Sequence, residues 1–308
     1  MVQTKVLPCG PDAIAEAARL IGEGQPVAVP TETVYGLAAD ATSGEAVARI
    51  YEAKGRPRFN PLIVHVESLD QAIRIARFDE TALDLARWHW PGPLTLVLPL
   101  RDEAGIASLV TAGLATVALR APAHPAMRDL LRAVGKPLAA PSANASGRIS
   151  PTRAEHVLAS LDGRIPLVLD AGPTAVGVES TIVAVADGRL RLLRPGPVDL
   201  GLAMEQGGQV EAPGQLNSHY APSKPLRLDA VEAAPDEWLI GFGPIRGDSS
   251  LSRSGDVVEA AANLFDRLHE AERQPRPLIA VAPVPHSGIG AAINDRLKRA
   301  ANPRPAGS

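Results

Sequence analysis

Residues 54–66 read KGRPRFNPLIVHV, a cluster of three cations followed by an apolar run. The residues between Ser43 and Lys54 carry apolar side chains at helical spacing. Lys54-Gly55 suits the end of that helix, because a cation complements the helix dipole and glycine accepts a left-handed conformation. The run from Pro61 to Val66 predicts a buried strand. A helix, a shaped basic loop and a strand are thus expected in this order.

Similar alternation continues on both sides of this stretch. Thr152 and Glu155 have the spacing of a capping box and predict a helix that runs to about Leu161. Residues 181–186 and 189–193 predict a hairpin, because the Asp187-Gly188 pair between them tolerates positive φ angles. That hairpin is expected to close the first domain.

The pattern changes after Pro195. From there to Pro225 periodicity fades and the segment is rich in Gly, Pro, Gln and Asn, which is typical of a linker. Beyond it, strands at about 238–242 and 278–283 alternate with helices at about 256–271 and 289–301. We therefore expect a first domain over residues 1–195, a linker over 196–225 and a small α/β domain over 226–308.

Bulk composition narrows the class of protein. The 308 residues are 45% hydrophobic and 21% charged, as in an ordinary globular protein. No apolar run approaches the roughly 18 residues of a membrane span, and the start lacks a secretory signal, so a cytoplasmic protein is expected. The single cysteine, Cys9, excludes an intramolecular disulfide. The net charge of −3 provides no bulk attraction for nucleic acid, so a polyanion would need a local basic pocket.

Four groups of residues could carry chemistry, and each has a plainer interpretation. The cations of KGRPR suit a triphosphate, or form a solvated helix end. The small polar residues of PSANASGRIS (141–150) let backbone N–H groups approach phosphate oxygens, or form a turn. PTETVYGL (30–37) follows a buried strand, where ligand sites are frequent, or is a polar turn. His65 lies in an apolar strand and is either functional or a satisfied core histidine.

The combination of motifs is more specific than any one of them. PTETVYGL, KGRPRFNPLIVHV, WPGPLTLVL (90–98), Leu119-Arg120, PSANASGRIS and GVESTIV (177–183) occur in the order found in the YrdC-like family of threonylcarbamoyl-AMP synthases. This resemblance covers about residues 10–200. NSHYAP (217–222), SGDVVEAAANLF (254–265) and VPHSGIGAAINDRL (284–297) resemble the linker and C-terminal domain of the longer, two-domain branch.

The resemblance implies both a fold and an activity. The fold would be a twisted mixed sheet flanked by helices around a large basic cavity, plus a small C-terminal Rossmann-like α/β domain. The activity would be that of an L-threonylcarbamoyladenylate synthase, a nucleotidyltransferase that condenses L-threonine, bicarbonate or CO2 and ATP to threonylcarbamoyl-AMP and pyrophosphate. The product would serve threonylcarbamoyl modification of the adenosine next to the tRNA anticodon.

Residue roles follow from the same matching. The catalytic set would be Lys54, Arg56, Ser142 and Asn144. ATP would be bound by Arg56, Asn60, Thr116, Ser142, Ser150, Arg194 and Tyr220. L-threonine would be held by Thr33, His65, Arg120, the backbone of Ala140, and Ser180.

The resemblance also implies partners. Mg²⁺ would arrive on the ATP phosphates and not in a dedicated protein site, and the linker would close over the nucleotide. A tRNA threonylcarbamoyl transferase would act downstream, with at most a weak direct tRNA contact and no membrane association. Two alternatives stay open at this point: an RNA-binding module, and a carbamoyl transferase on the same fold.

Overall fold

The structure, a computed structural model, describes residues 3–204, 211–214 and 219–302. Two α/β units account for the helices and strands of these residues. The first contains the strands β1 Lys5–Pro8, β2 Val27–Pro30, β3 Tyr35–Asp40, β4 Ile63–His65, β5 Leu94–Pro99, β6 Thr116–Arg120, β7 Leu138–Ala139, β8 Leu167–Asp170, β9 Thr181–Ala186 and β10 Arg189–Arg194. Its helices are α1 Pro11–Gly22, α2 Gly44–Lys54, α3 Leu69–Ile75, α4 Glu80–His89, α5 Ser108–Thr111, α6 Pro125–Val134 and α7 Ala154–Leu161.

The second unit is smaller. It comprises β11 Leu226–Arg227, β12 Glu237–Gly241, β13 Ser249–Ser250, α8 Val257–Arg273, β14 Leu278–Val281 and α9 Ile289–Ala301. Its strands pair in parallel in the order β11-β14-β12-β13. An all-parallel sheet with helices between its strands is the Rossmann-like arrangement that the resemblance implied.

The large sheet of the described residues is mixed, in the order β1-β8-β2-β3-β7-β4-β6-β5-β9-β10. Parallel pairs such as β4 with β6 alternate with antiparallel pairs such as β5 with β6. A mixed sheet flanked by helices is therefore confirmed. The predicted hairpin is confirmed too: β9 and β10 are joined through Asp187 and Gly188, both at positive φ.

Strand alternation gives the large sheet two different faces. Ala28, Val64 and Leu119 point into a core that includes α2, α3, α4 and α7. Their strand neighbours point the other way, where Val27 and Val29 pack against α1 and α6. Helices α1 and α6 cover only the β8-β2-β3-β7 side of this second face, so its other side is left for a site.

Two local predictions fail. Helix α7 begins at Ala154 without a side-chain cap, and the Thr152 hydroxyl instead lies 3.4 Å from His156 Nδ1, so the capping box is wrong. Half of PTETVYGL is not a loop, because Tyr35 begins β3, which pairs antiparallel with β2. Only residues 31–34 form the turn between them.

The chain between the units folds back on the first unit. Its described residues from Pro195 to Pro225 contain no helix or strand. Tyr220 from this segment packs in one apolar cluster with Val34 and Val178 of the first unit and Phe265 of α8. Residues of both units and of the linker meet in this cluster, so it does not define a boundary between them. The predicted limits of 1–195, 196–225 and 226–308 therefore stay a prediction.

None of the helices in the described part of the chain has the length and apolar character that crossing a membrane requires.

Candidate active site

A cavity lies on the uncovered side of the large sheet. Ile63 and His65 of β4 and Arg120 of β6 point into it, whereas the alternating residues Val64 and Leu119 face the core. The predicted site residues that line the cavity are Thr33, Arg56, His65, Arg120, Ala140, Ser142, Ser180, Arg194 and Tyr220. Residues from widely separated motifs therefore converge on one basic cavity.

The residues predicted for L-threonine form the Arg120 side of the cavity. The Arg120 guanidinium donates to Thr33 Oγ1 at 3.0 Å, to Glu32 Oε1 at 2.6 Å and to the Gly92 carbonyl at 3.2 Å. Among the described residues these contacts use three of its five N–H donors and leave one on each of Nη1 and Nη2. Such a pair of free donors matches a carboxylate. The Ala140 N–H is bonded to Ile63 O at 3.0 Å, so its carbonyl is the backbone group that remains for a ligand.

Glu32 is a site residue that the sequence analysis missed. Its second oxygen accepts from the backbone N–H groups of Ala123 and His124 at 3.1 and 3.3 Å. Burial alone would raise the pKa of Glu32, but the Arg120 guanidinium and these N–H groups hold that pKa below its ordinary value. The carboxylate stays ionised and fixes the Arg120 side chain. The sequence signal that could have identified Glu32 was its position inside the PTETVYGL motif.

His65 faces the same region as a neutral imidazole. Burial, reinforced by the nearby Arg120 cation, lowers the pKa of His65 to about 3. Its Nδ1 atom is buried and has no hydrogen-bond partner among the described residues. Because buried polar atoms are normally paired, this nitrogen is free for a ligand.

Lys54 does not line the cavity but lies beneath its wall. Its ammonium donates to the carbonyl oxygens of Ser142 and Asn144, both at 2.5 Å. Burial, together with the Arg56 charge, lowers the pKa of Lys54 well below its usual range. In this arrangement Lys54 supports the 142–144 loop, and its predicted catalytic role stays a prediction.

Arg56 is the cation of the KGRPR cluster that reaches the cavity. Its guanidinium donates to the carbonyls of Asn60 at 3.2 Å and Pro61 at 2.9 Å. Burial lowers the pKa of Arg56 to about 10, which still leaves it charged at neutral pH. The Asn60 side chain is fully buried beside it, outside the cavity lining, and neither of its amide atoms has a partner in the described chain.

The loop 141–150 contributes unequally to the cavity. Ser142 lines it, whereas Asn144 turns away and donates to the carbonyls of Ala145 and Arg148, each at 2.9 Å. Ser150 lies behind the residues that line the cavity. Its hydroxyl donates to Glu179 Oε1 at 2.5 Å, and Glu179 lines the cavity. Glu179, inside the GVESTIV motif, is a second residue that the sequence analysis missed.

Ser180 and Arg194 lie next to each other in the cavity wall. Arg194 Nη2 donates to Ser180 Oγ at 3.1 Å and Arg194 Nε to Ser180 O at 3.0 Å. Ser180 Oγ also lies 2.7 Å from Thr95 Oγ1. Arg56, Arg120 and Arg194 thus place three guanidinium groups around one space, which is an arrangement suited to anionic ligands.

Thr116 is a predicted site residue that does not line the cavity. Strand alternation places Thr116 on the same face of β6 as Ala118 and Arg120, about 13 Å from Arg120 along the strand. Ala118 on that face packs with Ala212 of the linker. Thr116 could therefore meet only an elongated ligand that extends along the sheet.

Linker residues also line the cavity. Pro213, His219 and Tyr220 all line it, and the free space left between the lining residues is about 40 Å³. That space holds only a few water molecules, so the large cavity expected from the resemblance is not seen among the described residues. Tyr220 has a positive φ of 62°. Asn217 and Ser218 of the NSHYAP motif lie outside the described residues.

Comparisons with known proteins agree with this architecture. A family model described as "Telomere recombination", for the Sua5, YciO and YrdC proteins, matches residues 19–196. A model described as "Threonylcarbamoyl-AMP synthase, C-terminal domain" matches residues 180–302.

Individual relatives match over nearly their full length. The threonylcarbamoyl-AMP synthase of Bacillus subtilis is 41% identical over 94% of this chain and 93% of its own. That of Pyrococcus abyssi is 39% identical over 94% of both chains. A crystal structure of P. abyssi Sua5 complexed with L-threonine has a TM-score of 0.87 and 37% identity, and covers 98% of this chain and 97% of its own. The chain therefore belongs to the threonylcarbamoyl-AMP synthase family.

Proposed function

We propose that this protein is an L-threonylcarbamoyladenylate synthase, a nucleotidyltransferase that makes threonylcarbamoyl-AMP and pyrophosphate from L-threonine, bicarbonate or CO2, and ATP. The observation that carries the proposal is the convergence of Arg56, Arg120 and Arg194 on one cavity. All three guanidinium groups are buried, so they suit an enclosed anionic ligand better than an RNA surface. This argues against the RNA-binding alternative.

In the proposed reaction, the neutral L-threonine amine first forms an N–C bond to CO2 with loss of a proton, or to bicarbonate with loss of water, and becomes a carbamate. A carbamate oxygen then attacks the α-phosphorus of ATP, the new P–O bond forms, and the bond to pyrophosphate breaks. Both reactants are anions, so alignment and charge neutralisation are the main tasks of the site. No covalent bond to the protein is needed.

The two substrates would occupy neighbouring halves of the cavity. The free donors of Arg120 would grip the threonine carboxylate, while Thr33, His65, the Ala140 carbonyl and Ser180 would hold the rest of the molecule. The nucleotide would meet Arg56, Ser142 and Arg194, extend along the sheet face towards Thr116, and be covered by Tyr220. Asn60, Asn144, Ser150 and Lys54 would support this half from behind the lining.

Mg²⁺ would enter with ATP. The described residues contain no cluster of three His, Cys, Asp or Glu side chains suited to a metal. Two carboxylates at the site are also engaged. Glu32 pairs with the lining residue Arg120, and Glu179, which lines the cavity, pairs with Arg296. A cation held mainly by phosphate oxygens and water fits this chemistry, and it would offset charge on the phosphates.

The linker would act as a lid. An acyl-adenylate hydrolyses in open water, and Pro213, His219 and Tyr220 of the linker already line the cavity. ATP needs more than the present free space, so these residues would move aside to admit it. The product would pass to a tRNA threonylcarbamoyl transferase in the cytoplasm. The protein itself would make at most a weak direct contact with tRNA.

The test is pyrophosphate release from ATP with and without each co-substrate. We expect release only when L-threonine and bicarbonate are both present, and threonylcarbamoyl-AMP as the nucleotide product. Pyrophosphate release that ignored L-threonine would contradict the proposal. Consumption of carbamoyl phosphate in the absence of L-threonine would favour the carbamoyl transferase instead.

A further inference from the structure

Arg296 is the largest fully buried side chain among the described residues, and it belongs to the second unit. It lies on α9, within the VPHSGIGAAINDRL motif, to which the proposed reaction assigns no role. Its guanidinium nevertheless reaches across to the first unit. A buried cation is costly unless every donor is paired, so its partners indicate what it does.

The first partner is Glu179 in the cavity wall. Arg296 Nε donates to Glu179 Oε2 at 3.0 Å, and Nη2 donates to the Glu179 carbonyl at 3.3 Å. The other carboxylate oxygen of Glu179 accepts the Ser150 hydroxyl at 2.5 Å. Arg296 therefore fixes both the backbone and the side chain of a residue that links GVESTIV to the 141–150 loop.

The second set of partners belongs to the linker. Arg296 Nη1 donates to the Pro195 carbonyl at 2.7 Å, where the linker leaves β10. Its guanidinium carbon lies 5.4 Å from the centre of the Tyr220 ring, within the range of a cation–π contact. One side chain thus touches the start of the linker and the residue that covers the cavity.

A neighbouring residue on α9 also orients the Arg296 side chain. Asp295, next to it on α9, accepts from Arg296 Nη1 at 3.0 Å and from Arg299 Nε at 2.9 Å. The planar fork of arginine serves these acceptors at once, whereas a lysine ammonium is a point donor that could not span them.

We propose that Arg296 is a positioning residue for adenylate formation, by which the second unit holds Glu179, Ser150 and the Tyr220 lid in their closed arrangement. The inference rests on the proposed function, and it identifies a specific task for the C-terminal domain. Arg296 has no hydrogen bond to Thr33, His65 or Arg120, so the binding of L-threonine alone should depend on it much less than adenylate formation does.

The test compares Arg296→Met and Arg296→Lys with wild type in the full chain. We expect both variants to lower kcat/KM for ATP in pyrophosphate release by about tenfold or more, because a small misplacement of aligned groups is enough for such a loss. L-threonine affinity, measured calorimetrically without ATP, should stay within about threefold of wild type. Lys298→Ala, an exposed change on the same helix, is the matched control and should leave both values unchanged.

A double variant separates positioning from folding. Arg296→Met leaves Glu179 as an unpaired buried charge, and Glu179→Gln/Arg296→Met removes both charges. We expect the double variant to regain the melting temperature lost by Arg296→Met while its pyrophosphate release stays low. Recovery of stability and activity together would overturn the inference, as would wild-type kinetics in the single variants.

Failure of this inference about Arg296 can be distinguished from failure of the proposed function. If the wild-type protein shows no release that depends on L-threonine and bicarbonate, the proposed function itself fails. If wild type is active and the Arg296 variants match it, only the role of Arg296 is refuted.

Discussion

Arg120 and its partner Glu32 form the best-defined contact in the candidate site. The pair is buried, so its charges contribute little net stability, and its value lies in fixing the direction of the guanidinium. Replacing arginine by lysine would keep the charge but remove the two free donors that match a carboxylate.

Arg120→Lys should therefore weaken L-threonine binding by about tenfold or more, with a much smaller change in the KM for ATP. Calorimetry with L-threonine and steady-state pyrophosphate release measure the two effects separately. Equal losses for both substrates would show that Arg120 does not belong to the threonine half.

Lys54 and Ser142 are predicted to differ in what they support. Lys54→Met leaves the Asn144 carbonyl without its donor, at a cost of about 1–3 kcal/mol, whereas the Ser142 carbonyl still accepts from the Asn144 N–H at 3.0 Å. This substitution should lower both the melting temperature and pyrophosphate release. Ser142→Ala removes only a hydroxyl that lines the cavity, and it should lower release by about tenfold at an unchanged melting temperature. A stable, fully active Lys54→Met protein would refute the supporting role of the lysine.

At the scale of elements, the linker and its Tyr220 are the part that we expect to move. Tyr220 packs against Phe265 of α8, with ring centres 5.7 Å apart, and is nearly fully buried. Loss of the ring would uncover the cavity while leaving the sheet intact.

Tyr220→Ala should release several times more free adenylate into solution, together with its hydrolysis products, for each pyrophosphate formed. Chromatography of the reaction mixture measures this ratio. Tyr220→Phe keeps the ring and serves as the control, with a ratio near that of wild type. If Tyr220→Ala changed neither product yield nor leakage, the lid hypothesis would be wrong.

Helix α8 meets the first unit at a glycine. Gly177 has φ of 78°, and a Cβ there would lie 2.4 Å from the Ala261 carbonyl of α8. Gly172 has nearly the same φ of 77°, but a Cβ there would meet nothing within 4 Å. Alanine substitutions at these two positions therefore distinguish the cost of backbone strain from the cost of displacing helix α8.

Gly172→Ala should cost about 1 kcal/mol, the strain of a left-handed alanine. Gly177→Ala carries the same strain and must also push α8 away, so it should cost about 2–4 kcal/mol and lower activity as well. Denaturant unfolding of both variants measures the difference. Equal costs would mean that the units do not need this close approach.

For the whole molecule, a stacked histidine pair joins the two units. His156 of α7 and His269 of α8 have ring centres 3.8 Å apart, and His269 Nε2 lies 3.1 Å from the Ser150 carbonyl. Burial, and then the neighbouring imidazole, lowers the pKa of His156 to about 3. Burial likewise lowers the pKa of His269 to about 4. Both rings are neutral in the folded protein at neutral pH.

Acid should therefore loosen the contact between the units. In the unfolded chain these histidines take up protons below about pH 6.5, but in the fold they do so only near pH 3–4. The stabilising contribution is complete above about pH 6.5 and is lost as the pH falls, by up to about 1.4 kcal/mol per histidine and pH unit. Melting temperatures between pH 7 and pH 4.5 check this. His269→Gln should flatten the dependence, whereas the exposed control His286→Gln should not.

Much of the fold and the family could be predicted from the sequence alone. Hydrophobic spacing predicts helix α2 and strand β4, and Gly55 marks the end of α2. Asp187-Gly188 predicts the turn of the β9-β10 hairpin. Each of these signals involves only residues that are close together in the sequence. The order of the motifs identified the family for the same reason, since each motif is a short contiguous segment. Short strands such as β7 were missed because two residues carry no periodicity.

The tertiary structure alone decided which charged and polar groups are paired, buried or free. Lys54 meets carbonyls 88 and 90 residues away, and Arg296 meets Glu179 across 117 residues. Local sequence cannot encode such partners, because the cost of burying a charge depends on every group that packing brings around it. For that reason the sequence identified the motifs of this enzyme family, while only the folded chain revealed that Lys54 supports a loop and that the second unit reaches the cavity wall.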